Sequence, residues 1–334
     1  MRRRYLLGGL AGALLLAAGA ANAQQPVKIR VSYAVPVSNW ATLIAEKLDL
    51  AKHHGKSYTF EAVRYQGTPP MITALANNEL EIANLAYSSL GLAIQNAGLD
   101  DLRVISDEFQ DGVEGRYSSQ FFVLKDGPIK KVSDLKGKVI ATNAAGSGID
   151  IAMKILLRKN GLEEKRDYTV VEAPFPAMAA MLFDKKVDMI PAVLPFSINP
   201  ELQAKAIPLA AQKDGLGKSQ MIMWTARKSF TDKNRAAMVD FMEDTIRIIR
   251  WYLDPKNKDE VLQIASKLTK APPERFAWLF SQQDYYRDPN FLPDLKALQT
   301  NMDAVKDLGI ISSTLNVEKY SDLSIVKEAA ARLK

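Results

Sequence analysis

Cysteine is absent from the 334 residues. Its absence excludes thiolate catalysis, zinc–thiolate clusters, iron–sulfur ligation and any lipid anchor carried on a thiol. Histidine is almost as scarce: His53 and His54 are the only two, and they are neighbours. A triad or a multi-histidine metal cage therefore has no material to draw on, and neither a metal site nor a cofactor is expected. At a helix end before Gly55, the imidazoles suit the negative pole of a helix. Beyond the first segment there is no run of about 18 apolar residues, so no membrane span is expected. What remains is average: 47% hydrophobic and 25% charged, the balance of a globular chain long enough for about two domains.

The net charge of +6 is misleading, because Arg2, Arg3 and Arg4 supply half of it. They head an apolar stretch from Tyr5 to Ala18, and Ala21-Asn22-Ala23 then offers small residues to a signal peptidase. Residues 1–23 thus read as a secretory signal peptide cleaved after Ala23, with a general secretory rather than a twin-arginine character. The stretch is too short to span a bilayer. Without these arginines the basicity is ordinary, and a nucleic-acid partner is not expected.

The rest alternates short apolar strands with amphipathic helices, the pattern of βαβ units. Strands are expected at Val27–Val35, Thr59–Tyr65, Ile82–Ala86, Leu102–Asp107 and Gln120–Lys125. A helix is expected over Asn39–Lys52, and Thr68-Pro69 opens another with a hydroxyl cap and proline at the first helical position. After the Asp126-Gly127-Pro128 turn the pattern begins again, with strands at Lys138–Asn143, Tyr168–Ala173 and Met189–Leu194. Helices at Ser147–Asn160 and Pro176–Phe183 separate them. Pro69-Pro70-Met71 aligns with Pro176-Ala177-Met178, and Leu80–Ala83 with Val187–Ile190, at one constant offset, so two similar lobes are implied. From the strand Gln220–Ala226 onward the texture turns helical: Arg235–Leu253, Asp259–Leu268, Pro273–Phe280, Asp294–Lys306 and Ile325–Leu333. The expected architecture is α/β: residues 24–125 and 220–334 form lobe 1 with an α-rich C-terminal tail. Residues 126–219 form an inserted lobe 2, each lobe a mostly parallel sheet flanked by helices. Two crossings make a hinged clamp.

In open α/β sheets, ligands gather at the C-terminal ends of strands. That rule selects Trp40, Gln66, Gly67, Thr68, Tyr87, Ser88 and Ser89 in lobe 1. In lobe 2 it selects Asn143, Gly146, Ser147, Phe175 and Phe196. The helix starts at Thr68 and Ser147 would offer free N–H groups to an anion. The aromatic residues, with Pro174, Pro176 and Pro195 stiffening their loops, would wall an apolar body. A small organic anion, a carboxylate or sulfonate, is the expected partner. Each aromatic could instead be core. Arg116, before the first crossing, could clamp a carboxylate or simply be solvated. No pair of carboxylates is spaced for acid–base work.

Gln66-Gly67-Thr68-Pro69-Pro70-Met71, with Ala74-Leu75 and Glu81-Ile82-Ala83, resembles the first-lobe signature of nitrate/sulfonate/taurine-type (NitT/TauT-like) solute-binding proteins. Pro128-Ile129-Lys130-Lys131-Val132-Ser133-Asp134-Leu135-Lys136-Gly137-Lys138 is similar to the family's entry into the second lobe, and Gly146-Ser147 and Val187-Asp188 continue the match. Asn77-Asn78 and Glu81 depart from it, behind the cleft. The resemblance implies a type II periplasmic binding protein, a non-enzymatic monomer in the periplasm that hands its solute to an inner-membrane ABC permease. Two alternatives stay open: a receptor subunit for a sensor kinase, and a periplasmic enzyme. Thiamine-pyrimidine precursor synthases share the fold, but their cysteine-rich motif cannot exist here.

Overall fold

The computed structural model describes residues 25–334, so the expected signal peptide lies outside the described residues. In lobe 1 the chain lays down β1 (Val27–Tyr33), α1 (Trp40–Glu46), β2 (Tyr58–Arg64), α2 (Pro69–Ala76), β3 (Ile82–Ala86), α3 (Tyr87–Gln95) and β4 (Leu102–Asp111). Next come β5 (Gln120–Leu124), β6 (Lys138–Thr142), α4 (Gly148–Lys159), β7 (Tyr168–Glu172), α5 (Phe175–Phe183) and β8 (Ile190–Ala192). The chain returns through α6 (Pro200–Lys205), β9 (Ala206–Ala211), α7 (Gln212–Leu216) and β10 (Ser219–Arg227). It ends in α8 (Lys228–Lys233), α9 (Arg235–Leu253), α10 (Lys258–Thr269), α11 (Leu295–Asp307) and α12 (Ser324–Ala331). Among the described residues no helix is long and apolar enough to cross a membrane.

The first sheet has the order β2-β1-β3-β10-β4. β1 runs parallel to β2 and β3, whereas β10 runs antiparallel to β3 and β4. The second lobe pairs β6 with β7 in parallel, and an isolated bridge from Ile140 to Met189 continues this order toward β8. β5 lies between β8 and β9, antiparallel to both. The first sheet is thus mixed, whereas lobe 2 divides into the parallel β6-β7 pair and the antiparallel β8-β5-β9 sheet; β5 and β10, the strands that follow each crossing, pair antiparallel.

One boundary needs correction. Gln120–Leu124 was expected among the lobe 1 strands, yet its hydrogen-bond partners are β8 and β9, so the first crossing lies at residues 112–119, not near Lys125. The tail covers lobe 1. Tyr252 on α9 donates its hydroxyl to the Leu43 carbonyl (2.8 Å), and the Tyr58 hydroxyl, from the side of β2, donates to Asp244 on α9 (3.0 Å). Residues 284–291 run without regular structure along β4, exchanging N–H···O bonds between Tyr286 and Gln110. Pro273–Phe276 is a single 3₁₀ turn, shorter than the helix expected there.

Candidate functional site

A half-open cavity of about 60 Å³ lies where the lobes meet. Lobe 1 contributes Ser38, Thr68, Asn84 and Phe109; lobe 2 contributes Asn143, Ser147, Ile149, Phe175 and Leu194. Met221 and Ile222 from β10 and Tyr285 from the tail complete the wall, and among the described residues no lining side chain is charged. Phe175, Ala34 and Val35 also border a second chamber of about 330 Å³, together with Arg64, Gln66 and Phe196. Phe175 and Phe196 stack with centroids 5.7 Å apart, at the border between the two spaces.

The lobes are closed on each other through direct hydrogen bonds. Gln66 Nε2 donates to the Asn143 carbonyl (3.0 Å), Tyr87 to Gly148 (2.7 Å), Ser88 to Gly146 (2.8 Å) and Ser38 to Leu194 (2.8 Å). Gly148 has no room for a side chain: a Cβ there would stand 2.9 Å from Ala86 Cβ and 3.0 Å from Met221 Cε. Gly146 takes φ +79, a left-handed turn that glycine adopts at no steric cost.

Of the residues singled out in the sequence, Gly67, Thr68, Asn143, Ser147 and Phe175 line the cavity, and Gln66 and Phe196 line the adjoining chamber. Tyr87, Ser88 and Gly146 serve as interlobe bonds, and Ser89 pairs its hydroxyl with that of Thr68 (2.6 Å). Tyr87-Ser88-Ser89, directly after β3, form the first turn of α3. Trp40 is a correction. It is 1% exposed, stacks on Phe280 (5.3 Å, 5°) with the Arg287 guanidinium 4.9 Å from its ring, and does not line the cavity. Arg116 donates to the Ser281 carbonyl instead of facing the cavity. His53 rests against Asp240 and Glu243 of α9.

The two helix starts differ from expectation in their chemistry. Thr68 sits in right-handed helical geometry and its hydroxyl caps nothing, while Pro69 and Pro70 remove two of the N–H groups a helix start would present. At α4, Ser147 does cap, accepting from Asp150 N (3.4 Å), and Gly148 and Ile149 line the cavity. Asp150 itself sits in that first turn, accepting from Gly146 N (2.9 Å) and paired with Lys154 (2.9 Å). Burial raises its pKa, against the pull of Lys154.

Residues missed by sequence reasoning include Ser38, Asn84, Phe109 and Tyr285. Asn84 spends its Oδ1 on Ser32 (2.9 Å), leaving its amide N–H groups without a protein partner among the described residues. Tyr285 stacks on Phe109 at 4.3 Å, and burial holds its hydroxyl neutral far above the usual range. Behind the wall, β4 carries three buried carboxyls. Burial pushes Asp107 up to about 8, Glu108 to about 7 and Asp111 to about 6. Hydrogen bonds from Gln220 to Asp107, from Trp40 N to Glu108 and from Ser118 to Asp111 oppose those rises.

The family model described as the NMT1-like family matches residues 22–266. The chain belongs to the NMT1-like family. Among solved structures, this family member is similar to an alkanesulfonate-binding protein, SsuA, from Xanthomonas axonopodis pv. citri, bound to MOPS. The TM-score is 0.71 at 17% identity, over 90% of this chain and 99% of that one. It is similar to the periplasmic nitrate-binding protein NrtA from Synechocystis PCC 6803, with TM-score 0.71 and 15% identity over 92% of this chain and 89% of that one. A desulfurization enzyme, DSZB, shares the fold as well: TM-score 0.66 and 14% identity over 92% of this chain and 100% of that one. At these identities the likeness establishes the two-lobed architecture.

Proposed function

We propose that this family member is a periplasmic solute-binding protein. It captures a small organic anion, a carboxylate or sulfonate, between its lobes and delivers it to an inner-membrane ABC permease. The observation that carries the reading is the wall: apolar side chains, neutral donors and, among the described residues, no charged side chain around an interlobe cavity. Neutral N–H donors, oriented by the fold, can hold an anion without a counter-charge. Asn84 and the start of α4 are the groups so placed. At about 60 Å³ the cavity is well below the roughly 150 Å³ that encloses a benzene ring. The acidic head therefore occupies the cavity, and the apolar body passes Phe175 toward Phe196 in the adjoining chamber. Binding without chemistry fits the same wall. Among the described residues Tyr285 is its one titratable side chain, and burial holds that phenol neutral.

A thermal-shift screen tests the proposal. Benzoate-like acids and alkanesulfonates should raise Tm, and small-angle scattering at saturation should show compaction. Stabilisation by nitrate or sulfate alone would overturn the organic anion. Native mass spectrometry of protein taken from the periplasm should find one such acid co-purified.

A further inference from the structure

We propose that Tyr285 is a positioning residue for closure. Its hydroxyl, clasped between the second lobe and the first crossing, holds the closed arrangement against the hinge. Leu194 is the second-lobe residue it grips. The Leu194 N–H donates to the Tyr285 hydroxyl (3.4 Å), and the Leu194 carbonyl accepts from Ser38 of lobe 1 (2.8 Å). The Leu194 backbone is therefore held at both polar groups by residues that belong to, or pack on, the opposite lobe. All three line the cavity.

The far side of Tyr285 reaches the hinge. Its oxygen lies 3.1 Å from Ser119 Oγ. Ser119 Oγ donates to Asp111 Oδ2 (2.8 Å), so its proton is committed and it accepts from the phenol. Asp111 ends β4, and it also takes Ser119 N (2.8 Å) and Ser118 Oγ (2.6 Å). Ser118 Oγ in turn accepts from Lys213 N (3.1 Å), and Ser119 O accepts from Gln212 N (2.7 Å). One carboxylate thus ties both crossings, and Tyr285 connects that knot to Leu194. Opening the lobes must break the Leu194 contacts while the knot at Asp111 can stay whole. That is a two-state contact at a hinge, the physical element that coupling between cavity and hinge requires.

The test needs no solute, so its outcome is independent of which ligand is bound. Because the chain has no cysteine, Lys185→Cys on lobe 2 and Lys327→Cys on α12 carry a pair of spin labels cleanly. Distance distributions are then compared among the otherwise native chain, Tyr285→Phe, Ser119→Ala and Ser38→Ala. Tyr285→Phe keeps the ring on Phe109 but loses both hydroxyl contacts. The closed-to-open ratio should fall about three- to tenfold, the usual worth of one or two such bonds. Ser38→Ala should shift it in the same direction. A distribution unchanged in Tyr285→Phe, with only Tm lowered, would mark a merely structural tyrosine and overturn the proposal. So would a native chain that shows no closed population.

Discussion

The run β1-α1-β2-α2-β3 of lobe 1 recurs as β6-α4-β7-α5-β8 in lobe 2. β1 pairs with β2 in parallel and touches β3 at Val31 and Ile82; β6 pairs with β7 in parallel and touches Met189 at Ile140. Equivalent junctions therefore face the cavity: Ser38 and Asn143 after the first strands, Thr68 and Phe175 after the second. The chemistry at those junctions is nevertheless different. In lobe 1 the first N–H of α1, at Trp40, already donates to Glu108 of β4 (2.5 Å), and α2 opens on two prolines. In lobe 2, α4 is twelve residues long and opens on glycine, with its own serine cap and its own aspartate. Topology decides which residues meet. What they can bind depends on the side chains that arrive from outside the repeat.

The sharpest way to break this comparison is steric. Gly67 and Gly148 stand at the starts of α2 and α4 and face each other's lobes. A Cβ at Gly148 meets Met221 Cε, which can swing away, but also Ala86 Cβ at 2.9 Å, a group fixed to the backbone. At Gly67 it meets Asn143 Nδ2 at 2.8 Å and Ala144 Cβ at 3.2 Å, and a side-chain amide can turn away. Overpacking of a close contact costs about 1–3 kcal/mol, here charged to the closed state. Gly148→Ala should weaken affinity for the best acid from the screen roughly ten- to a hundredfold, by calorimetry. Gly67→Ala should cost only a few-fold. Equal losses would mean that the two helix starts close with the same tolerance.

The repeat itself was legible in the sequence, and so were most of its strands and helices, because apolar period and proline caps are local signals. What escaped depends on distant partners. The sheet that β5 joins is decided by β8 and β9, far along the chain. Trp40 turns from the cleft because Phe280 and Arg287 come from the tail to cover it. α3 begins directly on the end of β3 with no side-chain cap, so Tyr87-Ser88-Ser89 carries turn-like residues where a helix starts. β9, with proline at 208 and small alanines, has little strand character of its own. Tyr285 lies in a segment without regular structure, where no periodicity could single it out.

The next test uses protons. Asp107, Glu108 and Asp111 all titrate above an unfolded carboxyl, which sits at about 4. The native chain therefore binds more protons than the unfolded one from about pH 4 up to those raised values. Stability should fall as pH rises through that window, so Tm should be higher at pH 5 than at pH 8 by calorimetry. Lys213 near Asp111 and Arg287 near Glu108 work against the trend, while Asp288 near Asp107 adds to it. Asp150, also raised, contributes with the same sign from lobe 2. Glu108→Gln should flatten part of the profile. A Tm that rises steadily from pH 5 to pH 8 would contradict the rise that burial gives these groups.

The smallest effect asks which lobe holds the acidic head. Asp150 places a carboxyl at the start of α4, the helix start that keeps its amides for the cavity. Asp150→Asn keeps an oxygen to accept from Gly146 N, and Lys154 keeps Glu164 at 3.1 Å. The fold should therefore hold, with little change in Tm. A charge near a helix N-terminus is worth about 0.3–1 kcal/mol, so removing a resident negative charge should tighten an anion about two- to fivefold. The gain should shrink at lower pH, where Asp150 of the native chain is itself protonated. An unchanged affinity at every pH would put the head on Asn84 in lobe 1 instead. A weakened one would mean that Asp150, through Gly146 N, holds the start of α4 in the geometry the solute needs, and that this outweighs its charge.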